Sequence, residues 1–319
     1  KASASRVGQV INTFWATRYP GESQATSQVR VTWDDARAAI LKADDIVASK
    51  SYSNVPIDLK PQIGLVPIGM DPQTRLWEFV HLASGRPGHE VPMRDPGTQK
   101  LLPTGDMGIV FVLLPGGELP VEDGQEPEPR HSLRLDPFFL SKYELTRGQR
   151  QRLARLSPPS TMAADLAKPA LWLNWFDCRD LMRHEGCDLP TEMQWEFGCR
   201  GGTTTPWWTG NTKESMVGKE SIGDTYNALP IGSLAPNPFG LYDTLGNAWE
   251  WCREDVGPRG SERAGDGQRA ASGRGYFSAH GGAFAVVMEE HKRPGGFMGF
   301  TPSQRLPSMG VRPSRSVLP

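Results

Sequence analysis

Glycine and proline interrupt this chain too often for long helices or strands to dominate its fold. The 319 residues include 35 glycines and 28 prolines. Glycine weakens regular elements through its backbone freedom, and proline through its missing N–H group. Ten tryptophans are also present, seven of them between Trp172 and Trp251, and side chains of this size favour burial. The combination predicts a globular, loop-rich protein with tryptophans in its core.

Charge and hydropathy exclude several classes of protein. Lysine and arginine together number 35, and aspartate and glutamate 36, a net charge of −1. This balance predicts neither a nucleic-acid partner nor attraction to a membrane surface. No apolar stretch is long enough to span a bilayer, and no secretory signal is recognisable, so we expect a cytoplasmic protein. The chain begins with Lys1 rather than methionine, which suggests a fragment or a processed product.

The four cysteines do not form a recognisable metal or disulfide pattern. The cysteines are Cys178, Cys187, Cys199 and Cys252. Their spacing includes neither a CxxC pair nor the pattern of a zinc site. Buried free thiols are therefore the expectation. A bridge between Cys178 and Cys187 is the alternative that remains open.

The apolar pattern divides the chain into three parts. Residues 1–60 are predicted to be a helical N-terminal segment, with one helix from about Val7 to Phe14 and another over residues 32–49. The apolar stripe of the second helix consists of Trp33, Ala36, Ile40, Ala43 and Val47. Residues 61–104 are predicted to be a connecting region of short strands, and residues 105–319 the main domain.

Strand and capping signals are clearest at the start of the main domain. Residues 108–114 form the strongest predicted strand of the chain. Residues 138–146 are predicted to be a strand that runs into a helix, for which Thr146 is the expected N-cap. A further helix is predicted over residues 174–186, and the next begins at Thr191, with Gln194 at the capping-box position.

Several separate blocks of this sequence resemble the formylglycine-generating enzyme (sulfatase-modifying factor) family. The blocks occur in the family's order and spacing, at residues 138–146, 189–197, 237–251, 281–284 and 310–312. The resemblance implies an α+β fold, the family's variant of the C-type lectin fold with little regular secondary structure, preceded here by a small helical segment. Residues 61–114 also resemble the stretch before this domain in bacterial serine/threonine kinase fusions, which implies a kinase or another effector as a partner.

The turn between Asp243 and Glu250 has the composition of a calcium site. Two carboxylates seven residues apart flank Gly246 and Asn247, and such a turn can direct carbonyl oxygens between them. The resemblance implies the same chemistry, with structural Ca²⁺ bound by the side chains of Asp243 and Glu250 and by two carbonyl groups, those of Gly246 and Ala248. In the alternative, Asp243 caps a turn and Glu250 pairs with an arginine.

The family's catalytic residues are missing from this chain. The resemblance implies that two cysteine thiolates bind copper(I) shortly after Gly281 and Gly282, but the corresponding residues are Val286 and His291. Valine and one imidazole cannot replace two thiolates, and no cysteine follows Cys252. Iron-dependent sulfoxide synthases of this fold need three histidines, including some from a helical domain, and residues 1–60 contain none. We therefore expect neither copper nor iron and a catalytically degenerate domain.

The apolar segment 283–309 is the predicted recognition surface, together with a tryptophan pair in an earlier loop. The candidate ligand-binding residues are Trp207, Trp208, Phe284, Val286, Met288, His291, Phe297, Phe300 and Arg305. In the alternative, the apolar segment packs inward and the tryptophans lie beneath the loops. A metal cluster around His280 and His291 is also conceivable, but a solvated polar loop is the expectation there.

These observations favour a non-catalytic domain of a bacterial signalling or defence protein that binds a protein or a small ligand. An enzyme of the same superfamily with a non-cysteine site is the first alternative. The second is a variable receptor, because the same fold carries the hypervariable face of diversity-generating retroelement proteins. Adenine-directed mutagenesis of AAY codons cannot produce Met288, Glu289 or Lys292, so we treat this as the minor hypothesis.

Overall fold

The computed structural model describes residues 33–41, 52, 57–121, 131–156, 163–221, 227–257, 260–284 and 293–317. The predicted helix over residues 7–14 and the stripe positions Ala43 and Val47 lie outside these ranges. The fold mixes helices and strands in the α+β arrangement expected from the sequence.

A five-stranded sheet forms one half of the core. Its strands, in spatial order, are β1 (Leu65–Met70), β2 (Trp77–His81), β3 (Ile109–Leu114), β6 (Phe138–Ser141) and β11 (Ser314–Ser316). Every neighbouring pair is antiparallel. The central strand β3 is buried along its whole length, because its sequence is an unbroken run of β-branched and aromatic or aliphatic residues.

A second sheet contains the strands that frame the predicted recognition segment. It is ordered β10 (Met309–Gly310), β7 (Trp249–Asp255), β8 (Phe277–His280) and β9 (Phe297–Phe300). The β10–β7 pair is parallel and the other pairs are antiparallel. Residues 281–296 connect β8 to β9. A separate hairpin consists of β4 (Gly117–Val121) and β5 (His131–Leu135).

The helices are short and begin at capping residues. They are α1 (Trp33–Leu41), α2 (Arg147–Leu153), α3 (Ala163–Leu166), α4 (Trp175–Arg183) and α5 (Glu192–Arg200), with 3₁₀ turns at Leu82–Ser84 and Lys213–Met216. Thr146, Asn174 and Thr191 each form a capping box, which confirms the predicted starts at Thr146 and Thr191. None of the described helices has the length and apolar character that a bilayer crossing requires.

Helix α1 packs on the five-stranded sheet through the predicted stripe. Trp33, Ala36 and Ile40 are all buried. The Trp33 ring lies 5.0 Å from the ring of Phe79, and its indole N–H donates to the Leu65 carbonyl at 3.2 Å. The described part of the N-terminal segment is therefore joined to the core through the first strand and its neighbour.

Most of the clustered tryptophans are core residues, as the composition predicted. The buried ones in this cluster are Trp175, Trp195, Trp207, Trp249 and Trp251. Trp208 is half-buried, and Trp172 is exposed over 56% of its surface. All four cysteines are buried and unbridged, so Cys178 and Cys187 do not form a disulfide. Burial raises the pKa of each thiol, which makes all four poor nucleophiles.

A buried ion cluster joins the predicted connecting region to the main domain. Lys142 Nζ lies 2.6 Å from Glu78 Oε1 and 3.1 Å from Asp71 Oδ2, and Arg94 Nη2 lies 2.6 Å from Glu78 Oε2. Strand β2 also pairs with β3 across the predicted boundary at residue 104. Residues 65–81 therefore belong to the same sheet as the main domain.

We predict that Lys142→Met lowers the free energy of unfolding by about 3 kcal/mol or more, because two buried carboxylates lose a shared cation. Urea denaturation of the full chain measures this change. Lys60→Met is the matched control, because the Lys60 partner Asp58 is exposed and an exposed pair contributes less than about 1 kcal/mol. Equal small losses in both variants would show that the buried cluster does not hold the paired strands β1 and β2 in place.

Candidate functional site

A bidentate ion pair between Glu250 and Arg312 lies where the two sheets meet. Glu250 belongs to β7, and Arg312 lies two residues before β11. Arg312 Nε donates to Glu250 Oε2 at 2.9 Å and Nη2 donates to Oε1 at 2.8 Å. The indole of Trp195 donates to the same Oε2 atom at 2.5 Å. Both charged side chains are buried, so this pair is shielded from solvent screening.

The guanidinium of Arg312 also binds three backbone carbonyls. Its Nη1 donates to Ser141 O at 3.1 Å, and its Nη2 donates to Tyr242 O at 2.8 Å and to Asp243 O at 3.1 Å. Arginine suits this position because its planar fork carries five donors in fixed directions. One side chain thus connects the end of β6, the turn before β7, and β7 itself.

Two further carboxylates lie near this pair. Asp243 Oδ2 accepts the Gly232 N–H at 2.7 Å, and Glu144 Oε2 accepts from Asn247 Nδ2 at 2.6 Å. The other oxygen of each, Asp243 Oδ1 and Glu144 Oε1, is buried and has no hydrogen-bond partner among the residues that the structure describes. Burial raises the pKa of Asp243 to about 6. Burial, with the charges of Asp243 and Glu250, raises the pKa of Glu144 well above its ordinary value.

Glu220 is a fourth buried carboxylate, and it lies beside the tryptophan loop, which carries Trp207 and Trp208. Its Oε1 accepts from Trp208 Nε1 at 2.6 Å and from Thr244 Oγ1 at 3.0 Å. Burial, reinforced by the charge of Asp243, raises the pKa of Glu220 to about 8. The predicted ligand residue Trp208 therefore uses its indole N–H inside the protein.

One position in the turn that carries the predicted calcium ligands requires glycine. Gly246 has φ +101°, and a Cβ atom there would lie 1.7 Å from the Ser221 carbonyl oxygen. Asp243 also adopts positive φ, at +55°. This backbone turns sharply between the two carboxylates, as the sequence predicted.

The residues of this turn fit a hard cation in part. The buried carboxylates Glu144, Asp243 and Glu250 face one guanidinium, and excess buried negative charge is relieved by a proton or a cation. Asp243 Oδ1 is available as a metal ligand. Glu250 already accepts hydrogen bonds from Arg312 and Trp195. Its pairing with an arginine is the alternative that the sequence left open. Within the described residues, no three His, Cys, Asp or Glu side chains could hold a metal ion by themselves, so a calcium ion would need backbone carbonyls.

Two aromatic residues of the predicted recognition surface are anchors in the core. Phe284 is buried with Leu171, Ala228 and Ala248. Phe300 is also buried, with its ring centroid 6.0 Å from that of Trp249 and 5.9 Å from that of Trp251. These two side chains pack inward, so they hold the segment in place rather than face a ligand.

The tryptophan loop meets the same segment through a cation–π contact. Trp207 is buried, and the guanidinium of Arg293 lies 5.5 Å from its ring centroid. Trp208 is half-buried. The structure therefore brings the two predicted ligand regions together, with the tryptophans beneath the loops.

The environment of His280 differs from the expectation. His280 is fully buried in β8, with its ring 4.8 Å from Trp195 and 5.8 Å from the half-buried Phe297. The prediction of a solvated polar loop is wrong at this residue, because β8 lies between β7 and β9. Three predicted ligand residues, Val286, Met288 and His291, lie outside the described residues.

Among the described members of the predicted ligand set, Arg305 is the exposed one. It donates to the Trp172 carbonyl at 3.1 Å and to Asp177 Oδ1 at 2.9 Å. Trp172 has φ +61°, an unusual conformation for a large side chain. Sequence reasoning missed Trp172 as a surface residue, because its neighbours suggested burial and no local signal indicates positive φ.

Comparisons with known proteins agree with this geometry. Residues 99–317 match the sulfatase-modifying factor enzyme 1-like domain family. The formylglycine-generating enzyme of Bos taurus is 30% identical, over 38% of this chain and 38% of that protein. The serine/threonine-protein kinase pkn1 of Chlamydia pneumoniae is 30% identical, over 46% of this chain and 28% of that protein. The chain thus spans well under half the length of these curated relatives.

A solved structure shows the same fold. Treponema denticola variable protein 1 superposes with a TM-score of 0.55 at 18% identity, over 66% of this chain and 96% of that protein. At this level of identity the likeness concerns the fold alone. It supports the lectin-like α+β architecture that the sequence blocks implied.

Proposed function

Because this chain belongs to the sulfatase-modifying factor enzyme 1-like family, we propose that it uses the family fold for binding, without the family's copper chemistry. One observation carries the proposal: Val286 and His291 occupy the two positions where the resemblance implies cysteine thiolates, and no cysteine follows Cys252. The existing cysteines offer no substitute, because all four are buried with raised pKa values.

The recognition surface in this proposal is the segment 283–309. It begins shortly after β8, includes β9 and ends at the start of β10. Its buried residues Phe284 and Phe300 fix it to the core. A variable loop on a rigid scaffold is a common way to present binding residues. The exposed Arg293 and Arg305 lie in the described part of this surface.

The relatives and the thiols support a proposed cellular setting. A kinase is among the proteins that match this chain, which supports a role beside a kinase or another signalling effector. Four unbridged cysteines favour a reducing compartment such as the cytoplasm. The variable-receptor alternative rests on the shared fold with Treponema denticola variable protein 1, and a genomic template near-identical to the 3′ end would favour it.

We predict that the wild-type chain neither binds stoichiometric copper(I) nor turns over a cysteine-containing sulfatase peptide. The double variant Val286→Cys/His291→Cys should gain tight copper(I) binding, because two thiolates are the ligands that this soft ion prefers. Anaerobic competition against a chromophoric copper chelator measures binding, and mass spectrometry of the peptide measures turnover.

The single variant Val286→Cys is the control for the copper experiment, since one thiolate should bind more weakly than two. Stoichiometric copper or iron in the wild-type chain, or turnover of the peptide, would contradict the proposal. Those results would favour the enzyme alternative.

We further propose that Asp243 and Glu250, with the Gly246 and Ala248 carbonyls, hold a structural calcium ion. The support is the unpaired Asp243 Oδ1 and the excess of buried carboxylates around Arg312. Calcium supplies positive charge there and takes mixed carboxylate and carbonyl oxygen ligands. Glu250 would then share its oxygens between the ion and Arg312.

The variant Asp243→Asn tests the calcium site. The folded-state pKa of Asp243 is about 6 against an ordinary 3.8, so without calcium its ionisation should destabilise the fold as pH rises from about 4 to 6. Near pH 7 the cost should be about 3 kcal/mol, at 1.36 kcal/mol per unit. Without calcium, Asp243→Asn should therefore raise the melting temperature at pH 7 but not at pH 4.

Calcium should raise the melting temperature of the wild-type chain and leave that of Asp243→Asn unchanged. Asp58→Asn, at an exposed carboxylate, is the control and should respond like the wild type. A wild-type melting curve that ignores calcium, or an equal response in both Asp variants, would reject the calcium site.

A further inference from the structure

The β7–β8 loop, as far as the structure describes it, is held against the N-terminus of α5 by buried side chains. Arg269 of the loop forms an ion pair with Glu192, the first residue of α5. Thr191, the N-cap of the same helix, donates its hydroxyl to the Asp266 carbonyl at 2.6 Å. The loop leads directly into β8, so its attachment to the helix also supports the second sheet.

Glu254 places a second buried carboxylate in this attachment. It belongs to β7 and is buried, and its Oε2 accepts the backbone N–H of Glu192 at 3.1 Å. Its Oε1 is buried and has no hydrogen-bond partner among the residues that the structure describes. Arg269 pairs with Glu192 rather than with Glu254. One guanidinium therefore faces two carboxylates at this site.

Few groups around Glu254 can compensate a second negative charge. The titratable and charged side chains of the elements packed around it are Glu192 from α5, Arg269 from the β7–β8 loop, Cys252 from β7 and His280 from β8. His280 Nε2 lies 3.9 Å from Glu192 Oε2, and Arg263 of the loop pairs with Asp266. When two buried carboxylates share one site, one of them keeps its proton. Glu192 has the ion pair, so Glu254 is the neutral acid.

We propose that Glu254 is a pH-sensitive switch that keeps the β7–β8 loop attached to α5 as a neutral acid and releases the loop when it ionises. Ionisation inside the cluster places a second negative charge beside Glu192 without a second cation. Release of the loop brings water to the carboxylate, and hydration lowers the free energy of its charged form. The switch does not depend on the proposed binding function.

The pH range follows from the difference in proton affinity between the attached and the released loop. Burial, with the charge of Glu192, raises the pKa of Glu254 to about 8, against an ordinary 4.5 for a solvated glutamate. The attached state binds an extra proton between these two values, so it loses stability as pH rises through this interval. The released population should increase about tenfold per pH unit and level off above about pH 8.

Trypsin cleavage after Arg269 measures the release, because this side chain is buried while the loop is attached. The full chain is digested at pH values from about 6 to about 9, and mass spectrometry gives the initial rate at this bond. Each rate is divided by that of a free peptide with the sequence of residues 264–273, which removes the pH dependence of the protease. We expect the normalised rate to rise about tenfold per pH unit up to about pH 8 and then to level off.

Cleavage after Arg200 separates local release of the loop from unfolding of the whole domain. Arg200 is as deeply buried as Arg269, but it lies at the end of α5 and outside the loop. We expect its rate, normalised in the same way, to stay well below that at Arg269 at every pH. Equal normalised rates at the two arginines would overturn the proposal, because the whole domain would then unfold together.

The variant Glu254→Gln should keep the loop attached at every pH, because glutamine mimics the neutral acid. Its normalised rate at Arg269 should stay at the low value that the wild type has near about pH 6. Glu118→Gln, at an exposed carboxylate, is the control and should follow the wild-type profile. A pH dependence that survives unchanged in Glu254→Gln would overturn the proposal.

The wild-type profile decides the matter by itself if Glu254→Gln does not fold. A normalised rate that does not change with pH would overturn the proposal. A plateau that begins near about pH 6.5, the ordinary pKa of histidine, would also overturn it, because His280 would then be the responding group. None of these outcomes depends on the copper or calcium experiments.

Discussion

The buried pair of Glu250 and Arg312 is the interaction on which the rest of the domain depends. It joins β7 of the four-stranded sheet to the segment that leads into β11 of the five-stranded sheet. The same guanidinium binds the carbonyls of Ser141 and Tyr242, so it links the end of β6 to the turn before β7. A chain with this much glycine and proline needs such side-chain connections, because its buried backbone groups must find partners outside regular elements.

This scaffold is compatible with the proposed use of the family fold for binding without copper chemistry. The pair and the tryptophans around it pack against the second sheet. Phe284 and Phe300 join the recognition segment to the same core. None of these contacts involves residue 286 or 291. In the proposed function, these described contacts hold the segment whichever residues stand at the two positions, which is the general case of one fold serving several functions. The acidic surroundings of the pair explain why a cation would stabilise the same scaffold.

Local signals predicted the elements whose causes are local, and they did not predict contacts between distant residues. The capping box at Thr191 could be read from the sequence because its partners lie three residues apart. The burial of His280 depends on strands that pair only in the folded chain. Glu250 and Arg312 are 62 residues apart, so the sequence could suggest an arginine partner but not name it.

A double-mutant cycle of Glu250→Gln and Arg312→Met tests most directly whether this pair organises the domain. Each single variant should lose about 3–5 kcal/mol of unfolding free energy in urea denaturation, because it leaves a buried charge without its partner. The double variant should lose clearly less than the sum of the two single losses, with a coupling energy of about 2 kcal/mol or more. Additive losses, with a coupling energy near zero, would contradict the account, because the two side chains would then stabilise the domain independently.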